Sequence, residues 1–308
     1  MSASLLIAQL LNGLQYGVML FLLAAGLTLV FGIMSFVNLA HGSLYMLGAY
    51  AAAVVGGYTG SFALGVLAAV VTGVVVGMVL EWVAVSRLYR RDHLDHVLAT
   101  FGLVLFFNEV VRMVWGPQPV FVTLPESLSG TVEFLGFSYP SYRFLIIAVG
   151  LVVAAGSQWL IHKTRMGMLI RAGSVNPQMV GALGVNIGLL NAMLFALGSA
   201  LAALAGAMAG PILSVQSGMG EPVLITTLVV IVIGGIGSVH GALYAGIIVG
   251  LVDTLGRTFL PMLIRAFADR EVANAAGPAL ASMLIYVLMA VILAWRPHGL
   301  FPANKAKS

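Results

Sequence analysis

Residues 162–186 read HKTRMGMLIRAGSVNPQMVGALGVN and stand between two long apolar segments, Phe144 to Ile161 and Leu189 to Ala209. The stretch carries Lys163, Arg165 and Arg171 and no acid. Of 308 residues, 61% are hydrophobic and 8% charged, where a soluble domain carries about 25% charged residues. So few charges cannot solvate a surface, so lipid must cover most of the chain. A basic connection of this length between apolar segments is therefore read as a docking surface on the cytoplasmic side of a membrane protein.

Working outward, the whole of 1–308 reads as one all-α polytopic membrane domain, with 162–188 as a cytoplasmic loop inside it. The net charge of +4 sits in a few clusters and points to no nucleic acid. Without cysteine there is no disulfide, thiolate nucleophile or Cys-ligated metal. The opening MSASLLIAQLLNGLQYG lacks a basic n-region and is read as a first span, not a cleaved signal.

A span needs about 20 apolar residues. Segments of that character run Leu5–Ile33, Phe62–Val85, Val97–Trp115, Phe144–Ile161, Leu189–Ala209, Ala242–Leu260 and Ala279–Trp295. Ser43–Gly57, after the polar break SFVNLAHG, and Leu224–Ile236 are shorter. The expectation is eight to nine transmembrane helices, the short ones re-entrant or broken. Three basic clusters set the orientation: Arg87, Arg90 and Arg91; Lys163, Arg165 and Arg171; Arg296, Lys305 and Lys307. With nine crossings all three face the cytoplasm, so the N-terminus is outside and the C-terminus inside. The loops Gly116–Tyr142, with Glu126 and Glu133, and Pro261–Pro278 then face out.

Many of the 37 glycines lie four apart, as in Gly13/Gly17, Gly73/Gly77, Gly206/Gly210 and Gly246/Gly250. Such spacing lets helix backbones approach closely; some of these sites could instead serve a moving gate. AHGSLY at 40–45 is echoed by VHGALY at 239–244, the kind of short repeat found around broken transporter helices.

Ionisable residues inside the apolar segments are scarce. Glu109/Arg112 and Asp253/Arg257 form same-face pairs expected near the outer ends of their spans. That scarcity argues against an ion-coupled carrier, which needs carboxylates at mid-membrane. The uncharged polar residues cluster on the first span and the following break: Asn12, Gln15, Tyr16, Thr28, Asn38, His41 and Ser43. Two readings stand: Asn12, Gln15, Tyr16, Asn38, His41 and Ser43 line a path for a polar solute, or they hydrogen-bond helices together. No metal spacing, GxSxG elbow, Ser/His/Asp set or GxxxxGK[ST] loop is present. Within the loop, Asn176 is an N-cap with Pro177 at the first helical position. The short helix runs from Gln178 to Leu183 and stops at Gly184, apolar enough to enter a partner's groove or to lie on lipid.

The stretch RMGMLIRAGSVNPQMVGALGVNI resembles the cytoplasmic coupling loop of bacterial ABC importer permeases. GLQYGVMLFLLAAGLTLVFGIMSFVNLAHGSLYMLGAY resembles the N-terminal signature of the LivH-type branched-chain amino acid permeases, and VIVIGGIGSVHGALYAGIIVGL and RPHGLF match the same family. The resemblance implies an ABC importer permease fold and transport of branched-chain or related amino acids across the bacterial inner membrane. It implies a second, LivM-type permease, two ATP-binding subunits and a soluble solute-binding protein as partners. ATP and Mg would then sit on the partner subunits, with no cofactor and no catalytic residue in this chain. The residues matching the coupling motif are Arg165, Gly167, Arg171, Ala172, Asn176, Pro177, Ala182, Leu183 and Gly184. Gly173-Ser174-Val175 departs from it, where relatives carry a more polar run. Members of the family also serve urea, amides and other small solutes. A self-sufficient carrier is the remaining alternative, and a membrane enzyme lacks any catalytic constellation.

Overall fold

The computed structural model describes residues 3–34, 36–89, 91–134 and 137–302. The helices are α1 (Ala3–Met34), α2 (His41–Thr59), and α3 (Phe62–Leu80), which continues through a π-helical turn, Glu81–Val85, into α4 (Ser86–Leu88). Then come α5 (His93–Trp115), α6 (Glu126–Ser129) and a hairpin of β1 (Thr131–Phe134) and β2 (Phe137–Pro140), pairing Val132 with Tyr139. After it follow α7 (Ser141–Lys163), α8 (Arg165–Val175), α9 (Pro177–Ala182), α10 (Ile187–Ala209), α11 (Gly220–Gly234), α12 (Val239–Ile264) and α13 (Arg270–Trp295).

Among the described residues, seven helices are long and apolar enough to cross a membrane, which makes the chain a multi-pass membrane protein. Helix α1 is the axis of the bundle, with every residue from Gly17 to Val30 buried. Glycine lets its neighbours reach it. A Cβ on Gly13 would lie 2.9 Å from the Leu251 Cα, one on Gly26 2.5 Å from the Gly198 carbonyl oxygen, and one on Gly32 2.5 Å from the Gly237 Cα. Gly13 meeting Leu251 while Gly17 meets Gly246 makes α1 and α12 antiparallel. On the other side of the bundle, a Cβ on Gly73 would meet Ala203 and Ser199, and one on Gly206 would lie 1.9 Å from the Tyr45 carbonyl oxygen. A Cβ on Gly210 would come no nearer than 3.3 Å, to the Val122 and Val215 side chains. Dispersion and lipid entropy drive such contacts, because inside a membrane the hydrophobic effect does not distinguish helix from lipid.

The two short segments are helices that begin inside the bundle. The Phe36 ring packs on His96, 4.6 Å between centroids, near the first turn of α5. Five residues later His41 opens α2, and its Nε2 lies 3.2 Å from the Leu23 carbonyl oxygen, in the body of α1. Leu23 is about 16 Å along α1 from its end at Met34. Residues 37–40 therefore climb into the interior before α2 starts. Helix α2 then runs to the far end, where Tyr50 stacks on Trp115 at 4.9 Å, the last residue of α5. Helix α11 does the converse. Its first residue, Gly220, packs against Gly42, where an added Cβ would lie 2.0 Å from the Gly42 carbonyl oxygen. Its last turn leads to Gly235, pressed against the His298 and Phe301 carbonyls. Thus α2 and α11 start side by side in the interior and diverge to opposite ends. The eight to nine expected helices resolve as seven full-length spans and these two shorter ones.

The boundary between the last two spans differs from the sequence expectation. The loop Pro261–Pro278 is mostly helical: Pro261 lies inside α12 and Pro278 inside α13. The Pro261 ring packs against Gly277, whose missing side chain makes room for it. Membrane helices tolerate proline where neighbours close around the freed carbonyl.

Candidate translocation site and coupling segment

At one end of the bundle, Thr164 caps α8 by accepting a hydrogen bond from the Gly167 N–H at 3.0 Å. Gly167 is required there. A Cβ would lie 2.1 Å from the Ile161 carbonyl oxygen and 2.2 Å from that of Leu160. Arg171 folds back and donates through Nη1 to the Ile161 carbonyl, satisfying an orphan acceptor at the end of α7. Asn176 then caps α9 by accepting from the Met179 N–H at 2.9 Å, Pro177 fills the first turn, and Gly184 takes φ +88 after it. The sequence reading placed this cap and stop correctly; the helix itself is Pro177–Ala182, with Leu183 in the capping position. The reading missed α8, although Thr164 before an amphipathic run was an available N-terminal signal.

Gly167 is buried, while Arg165, Arg171, Ala172, Asn176, Pro177, Ala182, Leu183 and Gly184 are exposed. Val175, Met179 and Leu183 present bare apolar side chains, Leu183 at 77% exposure. Gly173 and Pro177 border the same cleft as Met34 and Tyr89, and Arg171 borders the same cavity as Gly32, His240 and Pro302. The described parts of the three basic clusters therefore lie at one end of the bundle. Arg90, Lys305 and Lys307 fall outside the described residues.

The six polar residues singled out for a path divide into two groups. Asn38, His41 and Ser43 come together at the start of α2, all almost fully buried. Both polar atoms of the Asn38 side chain, His41 Nδ1 and Ser43 Oγ hold no hydrogen-bond partner among the described residues. Ser43 and Gly42 border the Gly220–Glu221 turn of α11 together with Asn108. This junction of two helix starts, each with its positive dipole end inward, is where broken transporter helices place their polar groups.

The second group lies on α1. Gln15 is buried. Asn12 is half-buried, accepting from the Tyr139 hydroxyl at 3.1 Å and from Arg143 Nη1. Tyr16 faces a cavity of about 230 Å³ shared by α11, α12 and α13 and also lined by Thr226, Asp253, Arg257 and Ser282. Asp253, expected near the outer end of its span, lies about 21 Å from the Val239 start of α12, because that helix continues to Ile264. Sequence alone could pair Asp253 with Arg257 but could not bring Tyr16 to them.

A bundle of apolar spans, two short helices that begin in its interior and an exposed segment of capped short helices define a multi-pass membrane protein. The chain belongs to the family described as branched-chain amino acid transport system, permease component, whose profile matches residues 9–293. It is 29% identical to the high-affinity branched-chain amino acid transport system permease protein BraD of Pseudomonas aeruginosa, across 95% of this chain and 94% of that one. It is 29% identical to LivH of Escherichia coli strain K12 across 82% of this chain and 86% of the relative. The ribose import permease protein RbsC of the same strain is 26% identical, across 84% and 83%. No solved structure matches.

Proposed function

We propose that this chain is a membrane subunit of an ATP-driven importer for branched-chain or related amino acids in the bacterial inner membrane. The observation that carries the reading is the exposed α8–α9 unit, held to the bundle through Gly167 and Arg171 and presenting Val175, Met179 and Leu183 outward. An apolar ridge of short capped helices fits a groove on a soluble partner. Arg165, Gly167, Arg171, Ala172, Asn176, Pro177, Ala182, Leu183 and Gly184 form or brace that ridge. Two ATP-binding subunits, carrying ATP and Mg, dock there and drive the cycle.

A second, LivM-type permease completes the membrane part, and a soluble solute-binding protein delivers the substrate. In this reading the α8–α9 end and the C-terminus face the cytoplasm and the N-terminus lies outside, following the basic clusters. Asn12, Gln15, Tyr16, Asn38, His41 and Ser43 border the route, with Tyr16 on the open cavity and Asn38, His41 and Ser43 at the broken-helix junction that opens during the cycle. The likeness to a ribose permease keeps a related small polar solute as the second reading of the substrate.

Reconstitution tests the proposal. The chain with its partner permease, ATP-binding subunits and binding protein should accumulate labelled leucine in proteoliposomes only when ATP is supplied. Removing residues 176–184 should abolish uptake while leaving membrane insertion intact. Gradient-driven leucine flux through the chain alone would overturn the ATP-driven reading.

A further inference from the structure

The cavity at Tyr16 has a chemical character that neither the family nor the coupling segment explains. Asp253 lies near the middle of the apolar helix α12, and its side chain is only 8% exposed, whereas that of Arg257 is 49% exposed. Arg257 Nε donates to both oxygens of Asp253 at 2.9 Å, and Nη2 donates to Ser282 Oγ at 2.9 Å. Nη1 has no partner among the described residues. The guanidinium is therefore stapled on two sides, and Arg257 lines the cavity.

A half-exposed guanidinium at this depth cannot face lipid without a large cost, so this face meets water or another protein. The rest of the lining sorts by chemistry. Tyr16, Thr226, Ser282 and Tyr286 supply hydroxyls, while Pro222, Ile225 and Ile285 supply an apolar wall. The cavity, of about 230 Å³, has room for a small solute.

We propose that this cavity is a translocation subsite for a zwitterionic aliphatic amino acid, an inference that rests on the importer reading above. The free edge of Arg257 takes the α-carboxylate in the forked geometry that guanidinium favours. The Asp253 carboxylate, whose oxygens keep spare lone pairs, offsets the α-ammonium beside the Tyr16 hydroxyl. Ile225 and Ile285 receive the side chain. One fixed cation and one fixed anion side by side reject a solute of either net charge, since each would meet a like charge at short range. An uncharged sugar would occupy the hydroxyls and leave both charges unused.

The test uses the complete importer in proteoliposomes, with leucine and alanine uptake and binding-protein-stimulated ATP hydrolysis read together. Arg257→Gln and Asp253→Asn should each slow leucine uptake about tenfold or more, as expected when one of two opposed charges is lost, while ATP hydrolysis persists. Arg257→Lys, which keeps the charge and loses the fork, should recover uptake only in part. If Arg257→Gln prevents assembly, Ile225→Trp decides, because it narrows the cavity from an exposed position: leucine uptake should fall more than alanine uptake. Wild-type uptake in Arg257→Gln, or an unchanged leucine-to-alanine ratio in Ile225→Trp, overturns the subsite. A wild-type importer that moves no amino acid overturns the functional reading instead.

Discussion

The Gly246 carbonyl oxygen stands 2.5 Å from the point a Cβ on Gly17 would occupy, so α1 and α12 touch through bare backbone. Gly17→Ala must push the helices apart. We expect it to cost about 1–3 kcal/mol, the usual range for overpacking, measured by unfolding of the purified chain in detergent. Gly102, exposed on α5 with nothing near its Cβ position, is the control: Gly102→Ala should be neutral or stabilise by about 0.5–1 kcal/mol, the usual helix preference.

Gly167→Ala acts on the α7–α8 contact. The added methyl collides with the Leu160 and Ile161 carbonyls, and backbone oxygens cannot rotate away. Helix α8 must lift from α7, breaking the Arg171 contact to Ile161 as well. Leucine uptake by the reconstituted importer should be lost, with faster proteolytic cleavage between Lys163 and Gly184 as the structural readout.

Met179→Glu and Leu183→Glu leave the fold alone, because both side chains are exposed. Stability should stay within about 0.5 kcal/mol of the parent. Co-purification of the ATP-binding subunits should fall sharply in both. Undiminished co-purification would show that the ridge is not the docking surface.

Tyr89, just beyond the α3 span, donates to the Glu81 carboxylate at 3.0 Å. Burial first, and the neighbouring Glu81 charge second, push its phenol far above the usual 10.0. An acid whose folded pKa is raised stabilises the fold below its unfolded pKa and loses that contribution as pH climbs beyond it. Stability should therefore decline above about pH 10, and Tyr89→Phe should flatten that decline. At neutral pH the same variant should cost about 1–3 kcal/mol, because a buried carboxylate loses a donor.

Much of the architecture was legible in the sequence because a membrane simplifies the problem. Apolar runs of sufficient length must be helices there, since lipid offers no partner for backbone groups, and the nine apolar segments all appear as helices. Asn176-Pro177 announced α9 because an N-cap followed by proline is a local device that needs no tertiary help. Pro261 and Pro278 misled for the same local reason: proline signals a break, and only Gly277 opposite Pro261 shows why the helix continues.

The candidate site was less legible. Asn38, His41 and Ser43 lie within one short break, so their clustering could be read from the chain. Their depth could not, because it depends on where residues 37–40 climb beside Leu23. Tyr16 and Arg257 are separated by most of the sequence, and no periodicity relates them.

Composition, length and local residue chemistry are enough to read the class of protein, the family it resembles and the short helix capped by Asn176. Packing across the bundle is what brings the starts of α2 and α11 together in the interior and puts Tyr16, Asp253 and Arg257 on one cavity. Glycine-faced helices approach closely enough for that. Which small face meets which is settled by packing across the bundle, where Gly13, Gly17 and Gly26 on one helix could each have accepted many partners.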